Sequence, residues 1–377
     1  MNKLGVIIFL YLFFVCLVPF LFYFVNPLLA YYDSYAFLSG TCGLIDVYML
    51  PFVPCNIFFI KLLLFFCFFV SVLSISVFGE QILGKKVGWR AGLFAVAFCP
   101  LFFQQFIKFE NDVFGLTLGF VSLALFSIAL NKNKLTHKAL IVFFSLLVLF
   151  FAWFLWQPAI LISIAMFLLS VYSYFFSILL IIPFIHQIPT YISTKWSFGK
   201  YQVLEEMPLI GLFGIIFVLP GLKFIPKKIL LPTILLLGLG LWKSKLMILA
   251  IPFIIIGFVL FVQKLERMKW FPNIYIISII MVLVMGFFSL GVSPTQQEMR
   301  IVEQSIQLSK DLNVPLYNDW TYGWWITYKG YPTKYRASYP NPDYNNLPRP
   351  FVALTKQQIN CELIKKENKI KIFSCEI

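Results

Sequence analysis

Carboxylates are scarce in the apolar part of this chain, and their positions are the first clue to its chemistry. Asp33 lies in Tyr31-Tyr-Asp-Ser-Tyr-Ala-Phe37, and Glu110 and Asp112 lie in Lys108-Phe-Glu-Asn-Asp-Val-Phe114. Glu205 and Glu206 lie in Gln202-Val-Leu-Glu-Glu-Met-Pro208. Each cluster borders a long apolar run, where a charge is expensive and marks a candidate functional site. Carboxylate oxygens are the ligands that hard divalent cations such as Mg2+ and Mn2+ take. The Glu-x-Asp spacing in a tight connection lets two of them point the same way. Lys243 and Lys245, in Trp242-Lys-Ser-Lys-Leu246, put positive charge at the end of another apolar run. A lysine there either holds a lipid phosphate as a point charge or snorkels to the interface.

The elements that must position these residues are membrane helices. The chain is 60% hydrophobic and only 12% charged, about half the charged fraction of a soluble domain. Lipid solvates apolar side chains all around a helix and water does not, so this composition belongs in a bilayer. A net charge of +14 raises the question of nucleic acid. The basic residues fall in short clusters between apolar runs, however, which is the pattern that orients membrane proteins and not that of a nucleic-acid-binding face.

Apolar stretches long enough to span run at roughly 4–25, 57–79, 90–107, 113–130, 139–155, 157–172, 174–190, 208–222, 229–242, 246–263 and 272–291, about eleven in all. The first is longer than a signal-peptide core and no small-residue cleavage site comes after it, so it reads as an uncleaved helix. With this count, Lys3, Lys85, Lys86, Arg90, Lys132, Lys134, Lys138, Lys223, Lys227, Lys228, Lys264, Arg267 and Lys269 fall on one side. The positive-inside rule makes that side cytoplasmic. Glu80 and Glu266 accompany those clusters, while Asp33, Asp46, Glu110, Asp112, Glu205 and Glu206 fall on the opposite, external side.

The fold class expected is mostly α: a polytopic transmembrane bundle over 1–291, with a small external α/β domain over 292–377. That tail opens with a helical pattern at Met299, Ile301, Ile306, Leu308 and Leu312. It ends in Cys361-Glu-Leu-Ile-Lys-Lys-Glu-Asn-Lys-Ile-Lys-Ile-Phe-Ser-Cys375, which reads as two short strands around a polar turn. Cys16, Cys67 and Cys99 sit in or at the ends of apolar spans as small hydrophobes. Cys42 with Cys55, and Cys361 with Cys375, lie on the expected oxidising side, where either pair can form a disulfide or stay reduced. None of the cysteines has metal-ligand spacing.

In this order the polar sites resemble the catalytic subunit of oligosaccharyltransferase, including its single-subunit archaeal and bacterial relatives. That family belongs to the GT-C membrane glycosyltransferases, which use lipid-linked sugar donors. Asp33-Ser-Tyr-Ala-Phe37 resembles the family's aspartate after helix one, and Phe109-Glu-Asn-Asp-Val-Phe-Gly115 its acidic-x-acidic pair between helices three and four. Val203-Leu-Glu-Glu-Met-Pro208 resembles the glutamate loop, with Glu205 in the glutamate's place and Glu206 as a one-residue alternative. Lys245, with Lys243 as substitute, stands where the family has an arginine. Asp319-Trp-Thr-Tyr-Gly-Trp-Trp-Ile326 resembles the Trp-Trp-Asp-Tyr-Gly signature that opens the external domain. Departures are plain: Thr321 aligns with the signature aspartate, Asp319 replaces its first tryptophan, the tail is shorter, and the helices are fewer.

The resemblance implies Mg2+ or Mn2+ held by Asp33, Glu110 and Asp112, with Lys245 and Lys243 on the donor phosphate. It also implies Asp33 and Glu205 on the acceptor asparagine amide, and Asp319, Trp320, Thr321, Tyr322 and Glu206 near the acceptor. The partners implied are a polyprenyl or dolichyl phosphate-linked sugar and an acceptor protein or peptide. A relative using a lipid monophosphate sugar on other acceptors is the nearest alternative. A transporter or a non-catalytic scaffold belongs to other classes, but transporters place ionisable groups mid-membrane and often carry internal repeats, and neither feature is visible here.

Overall fold

A computed structural model of the chain describes residues 3–25, 28–29, 34–35, 38, 55–84, 87–172, 181, 219–242, 244–266, 274–290, 295–333, 342–367 and 370–375. Uninterrupted apolar runs become helices: α1 (Lys3–Val25), α2 (Ile57–Leu83), α3 (Trp89–Phe98), α4 (Pro100–Phe106), α5 (Asn111–Leu130), α6 (Leu135–Leu155) and α7 (Ile162–Tyr172). After these come α8 (Lys227–Trp242), α9 (Ser244–Glu266) and α10 (Ile274–Leu290). Among the described residues, five helices are long and apolar enough to cross a membrane: Gly5–Val25, Ile57–Leu83, Asn111–Leu130, Leu135–Leu155 and Met247–Glu266. On that measure the chain is a membrane protein.

The structure does not reproduce the count of about eleven spans. The run at 90–107 is cut at Cys99 into α3 and α4. Pro100, which opens α4, cannot donate a helical hydrogen bond to the preceding turn. The run at 157–172 begins as a 3-10 turn, Gln157–Leu161, with proline in its first positions. The stretch at 174–190 lies outside the described residues except for Ile181. That at 208–222 lies outside them except for the start of the 3-10 turn Leu219–Phe224.

The chain divides into two compact units. The first comprises Met1–Phe22, Leu64–Phe106 and Asn111–Phe287. Its packing is aromatic on one side, where Phe20 meets Phe65, Phe68 and Phe103 at 5.4–5.5 Å between ring centres. Elsewhere it relies on small residues and hydroxyls. Ser122 Oγ donates to the Ser145 carbonyl and Ser145 Oγ to the Ser122 carbonyl, each at 2.8 Å, which locks α5 to α6. The other face of α6 presents Phe143, Phe150 and Phe154 outward, as a lipid-facing surface would.

Polar joints of the first unit meet one another. Arg90 of α3 makes a 2.8 Å ion pair with Glu266 at the end of α9, Asn131 after α5 donates to Gln81 of α2 at 2.9 Å, and Lys264 lies 5.4 Å from the Phe224 ring centre.

The second unit is discontinuous: Tyr23–Leu63, Ile107–Glu110 and Phe288–Ile377. Its tail begins with α11 (Gln296–Asp311), started by a reciprocal cap in which Glu298 N–H donates to Thr295 Oγ1 and Thr295 N–H to Glu298 Oε2. Strands β1 (Leu316–Asn318), β2 (Phe351–Thr355), β3 (Glu362–Glu367) and β4 (Ile370–Cys375) form one sheet in the order β1-β2-β4-β3. The β1–β2 pair is parallel and the others antiparallel. Between β1 and β2 runs α12 (Trp320–Tyr328). Tyr344, Phe351, Ala353, Ile359 and Phe373 form the core, and a Cys361–Cys375 disulfide closes the β3–β4 hairpin. Cys55 is also disulfide-bonded, while Cys42 lies outside the described residues. Cys16, Cys67 and Cys99 are free and buried.

Candidate functional site

Between α4 and α5 the chain has only Ile107–Glu110 to turn in, and both ends of that connection are tied down. The Tyr23 hydroxyl donates to the Ile107 carbonyl at 3.0 Å, and the Phe109 N–H donates to Ser34 Oγ at 2.9 Å. Glu110 comes directly after and is buried, and Asp112 sits in the first turn of α5. The partial positive charge of a helix N-terminus favours a carboxylate there. Gly115, one turn on, presses against the end of α6: a Cβ would lie 2.9 Å from the Ala152 carbonyl oxygen and overlap Trp156. Only glycine admits that approach, so it sets how closely the start of α5 lies against α6.

Ser34, tied by its bond to the connection between α4 and α5, comes directly after Asp33 in the chain. The next residue, Tyr35, reaches the tail. Its ring packs edge-on against Trp325 at 4.4 Å between centres and lies 5.4 Å from Tyr328. Its hydroxyl accepts from the Leu29 N–H at 3.1 Å. Burial pushes the Tyr35 phenol above the usual tyrosine range; the Leu29 bond opposes the shift, and Tyr23 and Tyr328 add to it.

In the tail, Asp319 precedes α12 with a buried carboxylate committed to the fold. It accepts from the Tyr344 hydroxyl, the Thr355 hydroxyl and the Lys356 N–H, each at 2.8 Å. Its own N–H donates to the Leu354 carbonyl at 3.0 Å, carrying the β1–β2 pairing one residue further. Tyr322 is fully buried, and its phenol is pushed above the usual range first by burial, then by the charges of Asp319 and Glu298. The Lys356 ammonium lies 5.7 Å from the Tyr322 ring centre.

The structure therefore places Ser34, Tyr35, Glu110, Trp325 and Tyr328 within one unit, while Asp112, two residues beyond Glu110 in the chain, belongs to the other. Asp33, Glu205, Glu206 and Lys243 lie outside the described residues. Lys245 is the second residue of α9, and Trp320 and Thr321 form the first turn of α12; the side chains of these residues lie outside the described part as well.

Among the described residues no group of three or more His, Cys, Asp or Glu is close enough to hold a metal ion. The expected set includes Asp33, which is not among them. Glu110 and Asp112 flank Asn111 in the chain, and the Asn111 side-chain oxygen is buried without a hydrogen-bond partner among the described residues.

Two residues of this region carry a signal not taken up from sequence. Lys61 is a lone cation inside the apolar run of α2, and Tyr23 ends the first span. In the structure the Lys61 ammonium donates to the Tyr23 carbonyl at 2.8 Å and lies 4.3 Å from the centre of its ring. Compared with known families and with curated proteins, the chain matches no family model and no curated sequence.

Proposed function

We propose that this protein is a membrane glycosyltransferase of the oligosaccharyltransferase kind. It moves a sugar or oligosaccharide from a polyprenyl or dolichyl phosphate-linked donor to protein asparagine. In this reading about eleven spans cross the bilayer, the N-terminus is cytoplasmic and the tail is external. One observation carries the reading: Ser34 meets Phe109, and Tyr35 meets Trp325 and Tyr328. Ser34, Phe109 and Trp325, each in or beside one of three motif-bearing stretches far apart in the chain, thus lie in one unit.

Asp33, Glu110 and Asp112 would hold Mg2+ or Mn2+, which would supply Lewis-acid stabilisation of the leaving phosphate. Lys245, with Lys243 behind it, neutralises phosphate charge as the glycosidic bond breaks. Asp33 and Glu205, with Glu206 as the substitute, accept hydrogen bonds from the asparagine amide N–H groups and aim its nitrogen at the anomeric carbon. An amide nitrogen is a weak nucleophile because its lone pair is delocalised, so proximity and orientation supply much of the rate. Trp320 and Thr321 line the acceptor side, on a helix that the buried Tyr322 and Asp319 anchor.

The test is transfer from extracted lipid-linked donors to an Asn-x-Ser/Thr peptide by membranes carrying the full chain. The expected result is product that needs Mg2+ or Mn2+, yields its glycan to an amidase and resists β-elimination. Asp112→Ala should cut the rate by about 10²–10³ while the protein still inserts. Full activity in that variant sinks the metal assignment, and release by β-elimination moves the acceptor to hydroxyls.

A further inference from the structure

A strand of an antiparallel pair ordinarily turns one face to the core and the other to water. Strand β3, at one edge of the tail sheet, buries neither: Glu362, Leu363, Ile364, Lys365 and Lys366 are all exposed. Its neighbour β4 is buried at Ile370, Ile372, Phe373 and Cys375. A bulge interrupts the pairing. Leu363 pairs with Phe373 and Lys365 with Ile372, so Ile364 is an extra residue with no opposite number. Leu363 and Ile364 are 45% and 46% exposed. Among the described tail residues, the only other large apolar side chain left so open is Leu312. The charge beside this pair is positive: residues 361–375 carry four lysines against two glutamates. Lys365 and Lys366 follow the apolar pair directly. Lys366 stands opposite Lys371 of β4, which donates to the Gln358 side chain at 3.0 Å. Like charges opposite each other across a ladder cost stability, and an anion beside them offsets that cost.

The partner that fits this edge is apolar and anionic at once. Another strand fits poorly, because bulges and edge lysines are what keep sheet edges from pairing. A lipid interface fits on both counts: acyl chains take Leu and Ile, and lysine stems lie along them with the ammonium at the headgroups. A bilayer is also within reach. Helix α10 exposes Ile276, Ile279, Ile280 and Leu283, a surface for lipid and not for water. Only residues 291–295 separate its end from α11, a reach of about 18 Å. We infer that the β3–β4 hairpin is a membrane-surface anchor for anionic phospholipid. Leu363 and Ile364 enter the boundary between headgroups and acyl chains, and Lys365 and Lys366 hold headgroup phosphates. This requires a membrane chain with this tail and stands apart from the proposed reaction.

The experiment is photo-crosslinking of the full chain in nanodiscs of phosphatidylcholine, alone or mixed with phosphatidylglycerol. Each disc carries a trace of lipid with a diazirine near the top of its acyl chain, and mass spectrometry locates the label. The expected result is label on residues 362–366, stronger with phosphatidylglycerol and reduced by salt that screens surface charge. Leu363→Ser with Ile364→Ser should remove most of that label in both discs. Lys365→Gln with Lys366→Gln should keep the phosphatidylcholine level and lose the gain from phosphatidylglycerol, about fivefold per lysine. Thermal unfolding should be unchanged in both variants, since every replaced side chain is exposed. Should the Leu363 and Ile364 variant not fold, the lysine variant decides alone. Wild-type discs with no label on 362–366 overturn the inference, and so does label that both variants retain. Equal label with and without phosphatidylglycerol overturns it as well. Label that behaves as expected in a protein that transfers no sugar leaves the anchor standing and removes the proposed reaction instead.

Discussion

Within the second unit, two buried charges are handled in different ways. Asp319 is 3% exposed and takes all three of its hydrogen bonds from the tail itself, from Tyr344, Thr355 and Lys356. Lys61 is as deeply buried, yet its bonds run from α2 to α1, and from there through Tyr23 to the acidic connection. The first network closes on one small domain and stabilises that domain. The second joins segments distant in the chain and carries no sheet or helix of its own. A charge satisfied locally is mainly a fold device; a charge whose partners bridge chain-distant segments is the better guide to a site.

That contrast breaks most readily at Asp319. Asp319→Ala leaves two hydroxyls and an N–H without their acceptor in the tail, a loss of roughly 3–5 kcal/mol. Hydrogen exchange on the full chain should show the β2–β4 sheet opening while α5 and α6 stay protected. Equal loosening of α5 would merge the two networks and void the distinction. Removing the hairpin closure comes next. Cys361 and Cys375 are 14 residues apart, and a loop of that size contributes about 3 kcal/mol. Cys361→Ser with Cys375→Ser should make the tail sensitive to limited proteolysis without changing Mn2+ affinity.

The smallest effect is alkaline. Tyr35 and Tyr322 are both held protonated beyond the usual tyrosine range, chiefly by burial. Below about pH 10, where an unfolded tyrosine still keeps its proton, folded and unfolded chains bind these protons equally. Above that pH the unfolded chain releases them first, so stability falls as pH rises. Thermal unfolding should therefore be flat with pH until about 10 and decline beyond it, with Tyr35→Phe reducing the slope. An unchanged slope would mean that Tyr35 is not sealed by Trp325 and Tyr328.

Much of the architecture is legible in the residues because apolar runs and turn chemistry are local. The spans at 4–25, 57–79, 113–130 and 139–155 appear as helices close to those bounds, since long apolar runs need only their own backbone bonds. The terminal hairpin is equally readable from alternation around a polar turn. The run at 90–107 misleads because hydropathy does not weigh the missing N–H of Pro100. The acidic motifs are visible as letters, but Lys61 is not, since a lysine in a greasy run looks the same whether it snorkels or is clamped.

The sequence alone determined that this is a membrane chain with a disulfide-capable polar tail and acidic turns beside its spans, because composition and periodicity act over a few residues. Only the tertiary structure decided that Ser34 meets Phe109, that Tyr35 meets Trp325, and that Lys61 holds Tyr23. Those pairs lie tens to hundreds of residues apart. Their meeting depends on how whole helices pack, which no local pattern of residues encodes.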